Sequence, residues 1–194
     1  MKTDVVIVSN EGDGKENALL QAEKAAAYRE LTKKQALHLR LLTEEMLGMM
    51  ESIASLTEGK FWIEDEDVTG ELWLHMKTDS FVDFDRREKL LSVSTSGKNE
   101  AARGFMGKIR TFFDPVCGLP LFFDASPDTA DITTAFSLTS YRQLVKAEMN
   151  ENDAAAEAWD ELETSVVTHL ADDVKVSIQG PGVELFILKN TNKA

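Results

Sequence analysis

The chain has 194 residues and a formal net charge of −13, which bounds it at one domain or two small ones. Hydrophobic residues make up 43% of it, enough to bury a sizeable core. So acidic a surface repels phosphate backbones and anionic membranes, which argues against nucleic acid as a partner, and no apolar run is long enough to span a bilayer.

In chain order, Asp4 to Ser9 reads as a strand, because Val5-Val6-Ile7-Val8 is β-branched throughout. Asn10 to Gly14 is turn chemistry. Asp13 is placed to cap a helix whose apolar side includes Leu19, Leu20, Ala26 and Ala27. A second helix is predicted over Thr32 to Leu56, where Leu39, Leu42, Met46, Met49, Met50 and Ile53 form one stripe. Gly48 lies inside it at a cost of ~1 kcal/mol relative to alanine, so close packing or a ligand is expected as its reason.

A hairpin follows. Phe61-Trp62-Ile63 leads through an acidic run and Val68-Thr69-Gly70, then Leu72, Leu74 and Met76 alternate with Trp73, His75 and Lys77. That is period two, with one buried and one wetter face. Ser92 to Asn99 reads as a loop and Ala101 to Phe113 as helical, and one or two strands are expected in 114–139, which includes Ile132 to Phe136. Ser140 with Gln143 is a capping-box signal for a short helix. Trp159, Leu162, Val166 and Leu170 mark another. The terminal hairpin alternates Val174, Val176 and Ile178 with Lys175, Ser177 and Gln179, turns at Gly180-Pro181-Gly182 and returns over Val183 to Leu188. The order predicts an α+β fold, a two-layer sandwich in which helices cover one face of a mainly antiparallel sheet.

Familiar chemical signatures are sparse. Cys117 is the single cysteine and sits in an apolar stretch, which reads as a packing thiol. Asp65-x-Asp67-x-Thr69-Gly70 begins like a calcium loop, but Met76 stands where the bidentate glutamate belongs. His38, His75 and His169 lack metal-ligand spacing. Gly97-Lys98 lacks the earlier glycine of a phosphate loop. The N-terminus shows no basic stretch followed by an apolar signal region, so the chain reads as cytoplasmic.

The element order and a few of its residues resemble the histidine-kinase-like (GHKL) ATPase superfamily, in particular the anti-sigma-factor serine-kinase-type domains. The resemblance covers about residues 3–113 and 153–189 and leaves 114–152 as an insertion in a single domain. In that family the second helix carries a glutamate and, one turn later, an asparagine that helps hold Mg²⁺. Here Leu42-Thr43-Glu44-Glu45-Met46-Leu47-Gly48-Met49 aligns Glu45 with the glutamate. Met49 then takes the asparagine's place, and a thioether is a poor ligand for so hard a cation. The family's adenine-reading aspartate falls on Asp79, although Phe81 occupies the place of a glycine. Its lid and Gly-rich turn fall on Ser94 to Lys98 and on Arg103-Gly104.

The resemblance implies a degenerate ATP-binding regulatory domain with a histidine-kinase-like ATPase fold. Glu45 would be its residual general base, and Asp79, Lys98, Arg103 and Gly104 its nucleotide contacts. Serine-kinase-like or ATPase chemistry is implied too, with the motif losses arguing against efficient catalysis. ATP would bind weakly, with Mg²⁺ deprived of its usual ligand. The alternative is a non-catalytic interaction module on the same fold, with Met49 and Phe81 filling the nucleotide site. Either reading expects a regulatory protein partner with a basic surface, given the acidity, and leaves a homodimer open.

Overall fold

The computed structural model describes residues 1–9, 13–54, 58–66, 69–78, 133–150, 153–179 and 182–192. Six strands form one sheet in the order β1-β2-β3-β6-β5-β4. They are β1 (Val6–Ser9), β2 (Glu58–Glu66), β3 (Glu71–Thr78), β4 (Thr133–Ser137), β5 (Asp173–Gln179) and β6 (Gly182–Asn190). Every neighbouring pair is antiparallel. Among the described residues five helices accompany them: α1 (Gly14–Tyr28), α2 (Lys33–Ala54), α3 (Leu138–Glu148), α4 (Asp153–Thr164) and α5 (Val166–Leu170). The α+β sandwich expected from the element order is present.

Strand alternation decides which face is buried. Phe61 and Ile63 of β2 lie opposite Met76 and Leu74 of β3. These in turn oppose Leu185 and Ile187 of β6, which oppose Val176 and Val174 of β5. All belong to one core cluster, with Leu39, Leu42, Met46 and Met49 of α2 and Ala18, Ala22, Ala25 and Ala26 of α1. Burying one such large side chain stabilises the fold by about 1.5–3 kcal/mol, so this continuous layer is the principal favourable contribution. The opposite, open face carries Trp62, Trp73, His75, Glu184 and Phe186 by the same alternation.

The first helix buries Ala26 as expected but departs from the rest of its expected apolar side. Its buried residues are Ala18, Ala22, Ala25 and Ala26, whereas Leu20 is 46% exposed and Ala27 is exposed. Small side chains let α1 lie close to its neighbours. A Cβ on Gly14, at the head of α1, would come within 2.5 Å of the Ile7 carbonyl oxygen, so a larger residue there would force β1 and α1 apart. Asp13 occupies the N-cap position, but its side chain makes no capping hydrogen bond. The next helix has the reciprocal cap: Thr32 N–H donates to Gln35 Oε1 (3.0 Å) and Gln35 N–H to Thr32 Oγ1 (3.3 Å).

The cap of α3 also differs from expectation. Ser137, not Ser140, is the N-cap, and its Oγ accepts from Ser140 N–H. The reason lies outside the local sequence. β4 runs directly into α3, and Asp173 of β5 accepts from Thr139 N–H (3.0 Å) and from the Ser137 hydroxyl (3.3 Å). The helix expected through Trp159 and Leu170 is broken at Ser165, whose backbone is extended (φ −77°, ψ 126°). Of residues 114–152, the described part is β4 and α3, and β4 extends the sheet by pairing with β5. The loop at 92–99, the helix at 101–113 and Cys117 lie outside the described residues.

Candidate functional site

Helix α2 carries the one sequence-nominated site residue that the structure describes. Glu45 is exposed. Its neighbour Glu44 accepts from Arg40 Nε at 3.2 Å, an i,i+4 pair on the helix surface. One turn beyond Glu45, Met49 is 1% exposed and belongs to the core cluster. The helical period explains the contrast: Leu42, Met46 and Met49 point inward, and Glu45 stands off that stripe. The place where the resembled family holds Mg²⁺ is therefore a packed thioether, which does not fit that ion.

Gly48 is exposed, and a Cβ there would meet nothing within 4 Å. Close packing among the described residues is not its reason. Asp79, Lys98, Arg103, Gly104 and Phe81 lie outside the described residues. Thr78, the residue before Asp79, is buried and donates from its hydroxyl to the Glu58 carbonyl (3.3 Å). Among the described residues no group of three or more His, Cys, Asp or Glu could hold a metal ion.

A second constellation occupies the open face. His75 is only 8% exposed although its strand neighbours Trp73 and Lys77 are half-buried. Its ring stacks on Trp62 (centroids 4.7 Å, 13°) and meets Phe186 edge-on (5.1 Å, 72°). Register explains the trio, since Trp62 opposes His75 and His75 opposes Phe186 on adjacent strands. Nδ1 of His75 lies 3.1 Å from Glu184 Oε1, while Nε2 has no hydrogen-bond partner and stands 3.7 Å from Glu64 Oε2.

Charges surround these rings. Glu64 accepts from Lys2 Nζ (2.9 Å) and from the Trp62 indole N–H (2.9 Å). The Lys2 hydrogen bond, reinforced by Trp62 and by the fields of His75 and Lys2, holds the Glu64 carboxyl below its ordinary value against the opposing effect of partial burial. Two ammonium groups already rest on indoles: Lys2 Nζ is 4.9 Å from the Trp62 ring centre and Lys175 Nζ 5.5 Å from that of Trp73. Beside them opens a cavity of about 540 Å³, walled by Trp73, His75 and Phe186 and edged by Lys2, Glu64 and Glu66. The available signal was Trp73 and His75 at alternate positions of one strand, which period two places on the wetter face.

The chain matches no family model, no curated protein and no solved structure. Among the described residues, no helix is long and apolar enough to cross a membrane.

Proposed function

We propose that this chain is a regulatory protein-interaction module that does not depend on Mg²⁺-nucleotide chemistry, residing in the cytoplasm and binding a partner with a basic surface. The observation that carries this reading is the burial of Met49 at 1% exposure, one turn from the exposed Glu45. A helix that spends that position on its core offers no oxygen to Mg²⁺ there. The net charge of −13 supports a basic partner, since complementary charge speeds encounter and rejects acidic competitors. The open-face cavity and its rings supply concave, partly apolar surface of the kind that anchors a partner's side chain.

One observation favours a second reading, a degenerate ATP-binding regulatory domain related to the anti-sigma-factor serine kinases. Gly48 stands exposed beside Glu44 and Glu45 with open space over its Cα, and a ligand there would give that glycine a reason. Thermal melting with and without millimolar Mg²⁺-ATP separates the two. The interaction module shows no shift and no phosphate release. A saturable shift, with phosphate release abolished by Glu45→Gln, would establish the second reading instead.

A further inference from the structure

We infer that the open-face cavity is a receptor for an arginine side chain presented by the partner protein. The inference rests on the reading of the chain as an interaction module and names the group that this face recognises.

Three features of the cavity converge on a planar cation with several donors. The first is an unmet acceptor. A carboxylate only accepts, so the Glu184 contact places the ring proton of His75 on Nδ1. When the ring is neutral Nε2 carries a lone pair, and that atom is buried in the cavity wall without a hydrogen-bond partner, 3.7 Å from Glu64 Oε2. An incoming N–H satisfies it; an incoming carboxylate or phosphate does not.

The second is uncompensated charge. Glu64 is already neutralised by Lys2, but Glu66 at the rim meets the neutral Thr69 hydroxyl (3.3 Å) and has no cationic partner among the described residues. The third is the aromatic wall of Trp73 and Phe186. Lys2 and Lys175 show that indoles on this face accept cations. A guanidinium combines flat stacking on a ring with a fork of donors, which an ammonium lacks. Its donors can serve a carboxylate or a ring nitrogen of the cavity lining while the plane rests on a ring, whereas each resident lysine presents a single point charge.

The test uses the full chain and N-acetyl-arginine methylamide as probe, with the citrulline counterpart as its neutral isostere and the lysine counterpart as a second cation. Ring signals of His75 and the indole signal of Trp73 are followed by NMR. The expected result is a saturable shift with the arginine probe, weaker or absent with the other two. Glu66→Gln on the exposed strand end should weaken binding about threefold, as for a solvent-screened ion pair. Trp73→Leu should weaken it about tenfold through loss of the cation–ring contact, and Glu66→Gln carries the test if the Trp73 variant does not fold. An equal response to citrulline or lysine, an unchanged affinity in Glu66→Gln, or no saturable response overturns the inference. The Mg²⁺-ATP melt is read separately. A silent melt with no arginine binding removes this inference alone, and a positive melt with arginine binding removes the non-nucleotide reading alone.

Discussion

Asp173 Oδ1 accepts a hydrogen bond from the backbone N–H of Thr139 at 3.0 Å and another from Val174 N–H at 2.9 Å. One nearly buried carboxylate thereby ties the first turn of α3 to β5. Asp173→Ala leaves these donors unmet and should cost about 2 kcal/mol, read as a lower urea midpoint at unchanged slope. Asp173→Asn keeps one acceptor oxygen and should fall between the two.

Two glycines should respond in opposite directions. Gly14→Ala drives a methyl group to 2.5 Å from the Ile7 carbonyl oxygen and 2.9 Å from Val8 Cα. Backbone cannot yield as a flexible side chain can, so a loss of about 2 kcal/mol is expected. Gly48→Ala meets open space within a helix and should gain about 1 kcal/mol. Equal shifts in the two thermal melts would contradict the packing described around Gly14.

Glu64 makes stability depend on acid. Its carboxyl is held below the ordinary value chiefly by the Lys2 hydrogen bond. The unfolded chain therefore binds the proton more readily, and stability rises with pH across that interval. The contribution is present above the ordinary carboxylate value of about 4.3 and is lost as pH falls through the lower folded value. Glu64→Gln should be less stable than the parent at pH 7, with the gap closing in acid. Because the side chain is 42% exposed, added salt should narrow the gap as well.

His38 adds a slope nearer neutrality. Burial, then the positive charges of Lys189 and Lys34, lowers its pKa. The unfolded chain again takes up the proton first, so stability falls as pH drops below the ordinary histidine value of about 6.5 and levels off beneath the folded one. His38→Gln should flatten that part of the pH–stability curve. An unchanged curve would contradict the assignment to His38.

Both hairpins and the inward stripe of α2 were legible in the sequence, because alternation and helical period are local signals that survive folding. The alanine side of α1 was not. Leu19 and Leu20 outrank alanine in hydrophobicity, but the close approach of Gly14 to β1 selects small residues. Ser137 was hidden as a cap because its second partner, Asp173, is remote in sequence. Of the site nominated by the resemblance, the outward position of Glu45 and the burial of Met49 follow from the helical period of α2. The enclosure of His75 could not, since Phe186 reaches it only through the pairing of β3 with β6.

That pairing has a consequence for how the chain acquires its structure. β2 and β3 form one hairpin between sequence neighbours and β5 and β6 another, and β1 and β4 join these hairpins by longer-range pairing to make two triplets. The two triplets meet at one seam, where Thr78 opposes Val183. Closing it spans a loop on the order of a hundred residues, whose entropy must be lost before the seam returns any binding energy. The β2–β3 and β5–β6 hairpins are thus expected to gain amide protection early and the seam late. Until the seam closes, Phe186 has not reached His75, so the arginine receptor is among the last features of the molecule to exist.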